Sequence, residues 1–500
     1  MLIAQVGLPI LTQPVEEHLA ELEELLKTRL KEVNQRITSG ENEHIVVKKS
    51  GRWHLPYSRM GDTINDPFFD ALSQVDIQAV CKFVHQRCQF LNEFTHVLHR
   101  YAGRKADEQT LIACIIAWGT NMGLGRMGQI SDVPYQTLAS TSNNFIRLET
   151  LQKANDVVVN AIAQLPIFQQ YHIGDTIHSS SDGQKFETQF HTINARYSSK
   201  YFGMMKGVVA YTLTANHVPI NTEIIGPNDH ESHFVFDLLY NNLTDIQPTI
   251  HSTDTHGTNE VNFGILHFFG YQFAPRYRDI YDKVSQGLYG FKHPSQYDAD
   301  WLLRPIRKIR KKLVIEEWEN MQRIMVSLAL KTTTQSIIIG KLSAYTRKNK
   351  TKRALWEYDN IIRSLYFLNY VDLLSLRRYV QQAVNRGESY HKFHRTVSHA
   401  NFGRLRFKTE GEQQIWNECG RLISNCIIFY NATILSNVLR YQTDNGRPSS
   451  KVSIEKVSPI AWQHINFYGR FEFTKSFQPI DIDAIVQKLV TRPGMSSPRE

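Results

Sequence analysis

Cysteine is scarce in this 500-residue sequence, and long apolar runs are absent. None of the five cysteines forms a CxxC pair, and an odd number cannot close a complete disulfide framework. We therefore expect reduced, mostly buried thiols in a cytoplasmic protein, without a disulfide scaffold or a cysteine zinc site. No run of about 18 apolar residues occurs, so no membrane span is expected. The apolar stretch 1–10 is short and lacks a basic region, which argues against a signal peptide.

Acidic residues are outnumbered by basic ones. The chain has 48 Asp and Glu against 57 Lys and Arg, for a formal net charge of +9. This excess indicates an anionic partner, with nucleic acid as the leading candidate; a merely basic surface is an equally open interpretation. The hydrophobic fraction of 42% suits a folded protein, and the length predicts two to four domains. Neither an internal repeat nor a low-complexity block interrupts the chain.

Most of the chain has helical periodicity. Val15, Leu19, Leu22, Leu26 and Leu30 recur at spacings of three and four, which predicts an amphipathic helix over roughly 15–37. Helical patterns also fill 66–169, with examples at 75–90, 108–118 and 143–165, and most of 258–385. A GxGxxG match at 123–128 follows a helical run and has no βαβ unit around it. We interpret it as a turn between helices, not as a dinucleotide site.

A region rich in strands lies between the helical parts. Strands are predicted at 176–181, 207–213, 219–225 and 249–253, with a helix at 231–240 before the last of them. This order is typical of the opening of a ribonuclease-H-like fold, in which the first and fourth strands lie side by side. Asp182 and Asp254 follow the first and fourth predicted strands. We therefore expect their side chains to meet at one edge of the sheet.

Two such aspartates are suited to divalent metal, because carboxylate oxygens are the ligands that Mg²⁺ and Mn²⁺ prefer. On this feature alone, turn formation is the commoner role of an aspartate at the end of a strand. A third carboxylate should come from a helix beside the strands, and spacing does not choose it. The candidates are Glu316, Glu317, Glu357, Glu388 and Glu412.

Glu388 has the best context among these glutamates. The sequence Asn385-Arg386-Gly387 predicts the end of one helix, and Glu388 would open the next, among basic neighbours. A carboxylate in the first turn of a helix is also favoured by the helix dipole, so a structural role competes. His230 and His233 could suggest zinc, but they lack a cysteine partner, and a helix cap or surface pair is the preferred interpretation.

Basic residues interleaved with aromatics recur along the chain and suggest contacts with a phosphate backbone. Each cluster could also be only a solvated surface. The candidates for binding DNA are Arg196, Lys200, Arg276, Arg278, Arg307, Lys308, Arg310, Lys311, Arg386, Lys392 and Arg395.

Seven stretches together resemble the catalytic half of the Tn-three-type (class II, cointegrate-forming) bacterial DDE transposases. They occur in family order over nearly the whole chain. They are CIIAWGTNMGLGRM from Cys114, SSDGQKF from Ser180, ARYSSKYFG from Ala195, STDTHG from Ser252, FGYQFAPRYRD from Phe269, NRGE from Asn385 and WQHIN from Trp462.

The resemblance implies an α/β fold, with a ribonuclease-H-like mixed sheet core interrupted by a helical insertion and preceded by an all-α region. The predicted segments are 1–65 (N-terminal helix and linker), 66–170 (helical domain), 171–257 and 386–475 (the two parts of the core), 258–385 (insertion) and 476–500 (disordered tail). Carried over by motif, Asp182, Asp254 and Glu388 resemble the catalytic triad, holding two Mg²⁺ or Mn²⁺ ions.

The implied activity is cleavage at transposon 3′ ends and strand transfer in replicative, cointegrate-forming transposition. The implied partners are double-stranded transposon-end and target DNA, further copies of the chain in a dimer or larger assembly, and a separate N-terminal transposase half. Relatives are longer and recognise the inverted repeats in their N-terminal half. The resemblance leaves three interpretations open: a truncated gene product, one part of a split transposase, or an excised fragment. A separate N-terminal half is a partner in the second of these. The implied location is the bacterial cytoplasm, at the nucleoid. The alternative is a non-catalytic DNA-binding or regulatory remnant.

Overall fold

The computed structural model describes residues 2–56, 64–101, 103–344, 349–444, 454–474 and 479–491. The chain divides into two compact units, each built from three segments. The first unit comprises Met1–Met60, His230–Tyr240 and Pro248–Val384. The second unit comprises Gly61–Asp229, Asn241–Gln247 and Asn385–Glu500. Both contain helices and strands, so the predicted α/β class is confirmed at this level.

The first unit is mainly helical, and its strands are short. The predicted amphipathic helix is confirmed as Val15–Thr38, with Leu19, Leu22, Leu26 and Leu30 buried. The other main helices are Val235–Tyr240, Asn262–Phe268, Ile280–Gly287, Lys311–Glu316, Trp318–Ala329, Gln335–Ala344 and Lys350–Asp372. The paired strands are Val46–Val47 with Trp53–His54, Ile250–Ser252 with Gln272–Phe273, and Tyr289–Gly290 with Arg307–Lys308.

Helix Lys350–Asp372 forms the centre of the first unit. It packs against Val15–Thr38 and Asn262–Phe268. At the contact, the fully buried Tyr358 hydroxyl lies 2.8 Å from Nε2 of His18 and 2.9 Å from Nδ1 of His267. Burial, together with the neighbouring His18, lowers the pKa of His267 to about 4. This core is therefore held by aromatic packing around a neutral polar cluster.

The second unit contains an antiparallel sheet. Strand His178–Thr188 pairs with Lys206–Ala215 over ten positions, from Ser179↔Ala215 to Thr188↔Lys206. The other edge of Lys206–Ala215 is shared by Arg196–Tyr197 and Val218–Ile225. The main helices are Ile77–Cys88, Glu108–Gly119, Leu124–Ile130, Tyr135–Phe145, Leu148–Ala163, Pro166–Gln170, Ser199–Phe202, Glu410–Asp444 and Ile482–Val490.

Helix Glu410–Asp444 is the core helix of the second unit. It packs against Glu108–Gly119, Leu148–Ala163 and strand Val218–Ile225. By length and composition it could cross a membrane, but 89% of its most apolar 18-residue window is buried inside the protein. Burial in the core accounts for its apolar composition.

Several local expectations were wrong. Asp182 lies inside strand His178–Thr188 and not after its end, because the polar run 179–185 pairs with the apolar strand 206–215. No break separates two helices before Glu388: helix Leu374–Val397 runs through 385–388. The stretch 143–165 forms two helices, Tyr135–Phe145 and Leu148–Ala163.

The predicted disordered tail contains a helix. Ile482–Val490 buries Ile482, Val486 and Leu489, and the Asp481 side chain caps its start by accepting a hydrogen bond from the Ala484 amide at 3.0 Å. The polar surroundings hid this short amphipathic pattern. Residues 475–478 and 492–500 of the same stretch lie outside the described residues.

Candidate active site

Asp182 presents a partly exposed carboxylate in the second unit. Its backbone pairs with Thr212, and its side chain is 30% exposed. Oδ1 accepts a hydrogen bond from the Gly183 amide at 2.8 Å, and Oδ2 lies 3.5 Å from Nδ1 of His391. The surrounding strand fixes the carboxylate while leaving it open to water, as a metal ligand requires.

The turn of helix that carries Glu388 packs directly on the Asp182 strand. A Cβ at Gly387 would lie 3.0 Å from Oγ of Ser180, so only glycine allows this approach without a shift. The Gln184 amide donates to the His391 carbonyl at 2.7 Å, and its oxygen lies 3.0 Å from Nδ1 of His394. Gln184 therefore fixes the rotation of the helix on the strand.

Glu388 and Asp182 belong to the same face of this packing. Glu388 precedes His391 by three residues, and side chains three apart are neighbours on a helix surface. His391 contacts Asp182, and the Glu388 side chain is exposed. A place for Glu388 beside the Asp182 carboxylate stays a prediction.

Arg386 is a buried cation and is therefore unsuited to the predicted contact with DNA. It is only 4% exposed, and Nη1 donates to the Tyr171 carbonyl at 2.6 Å. Burial and this guanidinium lower the pKa of His178 to about 3 and hold the pKa of His217 well below its usual value. The arrangement keeps Arg386 as the fixed charge beside neutral histidines.

Asp254 belongs to the first unit and lies two residues beyond strand Ile250–Ser252. Its Oδ1 accepts a hydrogen bond from the Gly257 amide at 3.2 Å. Arg276 brackets this turn, because its amide donates to the Thr253 carbonyl at 2.8 Å and its own carbonyl accepts from the Thr255 hydroxyl at 3.1 Å. The turn and the Arg276 segment are thereby fixed as one piece.

A cavity of about 880 Å³ opens beside Asp254 within the first unit. Four arginines line it, namely Arg276, Arg278, Arg377 and Arg378. Tyr277, between the first two, is buried with its ring 5.6 Å from that of Phe367, so its neighbours in sequence face elsewhere. The cavity joins a carboxylate to a concentration of positive charge.

Arg377 lines the same cavity and is held there by the backbone of helix Lys350–Asp372. Its Nη1 donates to the carbonyls of Tyr370 and Val371 at 2.7 and 2.8 Å. Its Nη2 is buried and has no hydrogen-bond partner among the described residues. Burial lowers its pKa. Sequence reasoning missed Arg377 and Arg378, although two adjacent arginines in a helical pattern were a usable signal.

The remaining predicted basic residues fall into two groups. Arg307 lies 2.7 Å from the buried Glu357, and Lys311 lies 2.9 Å from Glu23, so both charges are already paired. Arg310 lies 3.8 Å from Glu357. The exposed cations that remain available to a polyanion are Arg196, Lys200, Arg278, Lys308, Lys392 and Arg395.

The other candidate glutamates have local structural contacts. Glu357 is buried with Arg307. Glu317 accepts from Thr351 and Asn320, at 2.7 and 2.8 Å. Glu412 accepts from the amides of Lys408 and Thr409 at the start of the core helix, and Glu316 lies 3.9 Å from Lys312.

The donor set at the predicted site fits a hard divalent cation. Asp182, Asp254 and Glu388 each have a side chain at least partly exposed, and carboxylate oxygens suit Mg²⁺ or Mn²⁺. Within the described part of either unit, no three His, Cys, Asp or Glu side chains form a ready-made metal cluster. His230 and His233, the pair considered for zinc, therefore belong to no such cluster. Their rings stack with centroids 5.4 Å apart.

The sequence is similar to known transposases. Residues 80–471 match the family model of the Tn3 transposase DDE domain. The transposase for transposon Tn1546 of Enterococcus faecium is 30% identical over 387 residues, covering 77% of this chain and 38% of the relative. The transposase for transposon Tn21 of Escherichia coli is 28% identical over 470 residues, covering 92% of this chain and 46% of the relative.

A third relative gives the same result. The transposase for transposon gamma-delta of Escherichia coli K12 is 28% identical over 416 residues, covering 82% of this chain and 41% of the relative. The chain therefore spans less than half the length of these relatives. The family match covers more than three quarters of the chain and includes Asp182, Asp254 and Glu388. On this basis, the chain belongs to the Tn3 transposase DDE domain family.

Proposed function

We propose that this chain is the catalytic region of a DNA transposase that cleaves at transposon 3′ ends and joins them to target DNA in replicative, cointegrate-forming transposition. The observation that carries the proposal is the family match across residues 80–471, which contains three accessible carboxylates. A silent remnant is not favoured, because the match retains both the carboxylates and the basic surfaces around them.

The proposed core is ribonuclease-H-like. Its support is the order of elements: strands His178–Thr188, Lys206–Ala215 and Val218–Ile225, then helix Val235–Tyr240 and strand Ile250–Ser252. In such a core, the first and fourth strands are neighbours. Asp254 would then join Asp182 and Glu388 in one site, with 258–385 as an insertion.

In the proposed mechanism, Asp182, Asp254 and Glu388 hold two Mg²⁺ or Mn²⁺ ions. Metal held by these residues would supply activation of the attacking hydroxyl and stabilisation of the leaving oxygen of a phosphodiester. Arg276 and Arg278 position the phosphate beside Asp254, since the hydrogen bonds of Arg276 tie its backbone to that turn. Gln184 holds the Glu388 helix turn, so the carboxylates keep their places as the DNA binds.

The proposed partners are double-stranded transposon-end and target DNA. Further proposed partners are other copies of the chain on paired ends and a separate N-terminal transposase half that recognises the inverted repeats. The basic surfaces support the DNA partner, because cations neutralise phosphates irrespective of sequence. The proposed location is the bacterial cytoplasm, at the nucleoid.

The test is strand transfer from a pre-cleaved DNA end in Mg²⁺ or Mn²⁺, with and without an N-terminal half supplied by a relative. Asp254→Ala should abolish nicking and strand transfer while duplex binding survives. Asp300→Asn, at an exposed acidic position outside the arginine cavity, is the matched control and should remain active. Normal cleavage by Asp254→Ala would refute the assignment.

A further inference from the structure

An exposed apolar tip lies in the second unit, between strands Arg196–Tyr197 and Lys206–Ala215. Met204 is 91% exposed, and its neighbours Met205 and Tyr201 are 37% and 42% exposed. Large apolar side chains are seldom left in water together without a binding partner. The proposed chemistry at the carboxylates does not use these residues.

The tip is held in shape by the backbone. Gly203 adopts φ 58° and ψ −117°, a backbone conformation that residues other than glycine rarely adopt. The Phe202 amide donates to the Ser198 carbonyl at 2.8 Å, and the Met205 amide donates to the Phe202 carbonyl at 2.9 Å. The Phe202 ring lies against the bare backbone of Gly207, where a Cβ would be 2.2 Å from the ring. The methionines therefore project from an anchored turn.

Cations surround the tip. The segment 189–206 contains Arg196, Lys200 and Lys206 and no acidic residue. The Lys200 and Lys185 ammonium groups lie 4.9 and 5.2 Å from the centre of the Tyr201 ring, and that of Lys206 lies 4.8 Å from the centre of the Tyr197 ring. An anchored apolar side chain with cations beside it is complementary to duplex DNA, in which the base pairs lie between two phosphate backbones.

We propose that Met204, supported by Met205, wedges between base pairs of duplex DNA while the surrounding cations hold the backbones. Apolar side chains, methionine among them, open base steps in this way, and the resulting kink gives the protein more DNA surface to contact. The inference rests on the proposed function, because the reacting phosphate is placed at Asp182.

The sheet sets the position of the wedge along the DNA. Asp182 pairs with Thr212, and Thr188, at the end nearer the tip, pairs with Lys206. Six residues of strand span roughly 20 Å. For a duplex that lies along this strand, with about 3.4 Å per base pair, the opened step would be about six base pairs from the reacting phosphate.

The test places 2-aminopurine at successive positions of a duplex with a pre-cleaved 3′ end and records its fluorescence with the full chain bound. We expect the fluorescence to rise at a step about six base pairs from that end, by the spacing argued above. The variant with both Met204→Ala and Met205→Ala should lose the rise while still binding DNA. Leu243→Ala removes a comparably exposed apolar side chain elsewhere in the second unit and should keep the rise.

A mismatch at the opened step provides a second readout. The double methionine variant should also lose strand transfer. Because a mismatch lowers the cost of unstacking, a mismatch at that step should restore it. Absence of a fluorescence rise with bound wild-type chain overturns the wedge, as does a rise that the variant retains. Altered self-association of the variant with unchanged fluorescence also overturns it and assigns the tip to a protein interface. The fluorescence scan needs no catalysis, so failure of the proposed function is detected separately, by the strand-transfer assay.

Discussion

Single polar residues hold the helix of Glu388 on the strand of Asp182, and His394 is the most buried of them. Its ring stacks on Tyr390, with centroids 5.6 Å apart, and its Nδ1 lies 3.0 Å from the Gln184 oxygen. The Gln184 amide donates to the His391 carbonyl, so its oxygen must accept. Nδ1 of His394 therefore carries the proton, and the ring is neutral when folded.

Acid should destabilise the second unit through His394. Burial, with His391 and Arg395 nearby, lowers its pKa to about 3 from the ordinary value of 6.5. The stabilisation is therefore present above pH 6.5 and is lost as the pH falls from 6.5 towards 3. Between pH 7.5 and 5.5, this one group should cost about 1.4 kcal/mol of unfolding free energy.

Denaturant unfolding of wild type and His394→Gln at these two pH values checks the prediction. The variant should lose correspondingly less stability on acidification, although its stability at pH 7.5 is lower. His99→Gln, at an exposed position, should retain the wild-type pH dependence. An equal loss in wild type and His394→Gln would contradict the assignment.

At the scale of elements, close packing between helices decides which glycines can be replaced by a larger residue. Helix Glu108–Gly119 meets the core helix at Gly119, in the stretch that resembles the transposase family. A Cβ there would lie 2.6 Å from Cδ1 of Ile423 and 2.8 Å from the carbonyl carbon of Cys419. The backbone of a buried helix cannot move aside as the end of a flexible side chain can.

Gly119→Ala should therefore destabilise the protein by about 1–3 kcal/mol despite the better helix propensity of alanine. Gly125→Ala is the matched control: it lies in helix Leu124–Ile130, and nothing lies within 4 Å of its added Cβ. That variant should be stabilised by about 0.5–1 kcal/mol. Thermal or denaturant unfolding of both variants distinguishes packing from propensity, and equal effects would refute the packing argument.

At the scale of the whole molecule, the net charge is +9, but only some of the basic side chains are available to bind DNA. Arg386 is buried, and Arg307 and Lys311 have acidic partners. Arg278 and Arg378 are exposed at the cavity beside Asp254 and form no ion pair within the described part of the chain. They should carry more of the DNA affinity than the paired cations.

Replacing both Arg278 and Arg378 by alanine should weaken duplex binding and reduce the slope of log affinity against log salt by about two, since each neutralised phosphate contributes about 0.9. Titrations at several salt concentrations measure that slope. Arg323→Ala, whose arginine pairs with Glu319 outside the cavity, should leave the slope unchanged. An unaltered slope in the double variant would exclude these arginines from the DNA surface.

The sequence by itself determined the α/β class, helix Val15–Thr38, the strands around 207–213 and 219–225, and membership of the transposase family. These features depend on local periodicity and on motifs that read directly along the chain. The assembly of Asp182, Asp254 and Glu388 into one site stays a prediction.

Only the tertiary structure decided which charged residues are available. Arg386 and Arg395 look alike in sequence, yet one is buried against the Tyr171 carbonyl and the other is exposed. Likewise, the run Asn385-Arg386-Gly387 predicts a helix end, yet Gly387 lies within a helix because its missing Cβ admits Ser180. Burial and close approach depend on partners distant in sequence, so no local pattern encodes them.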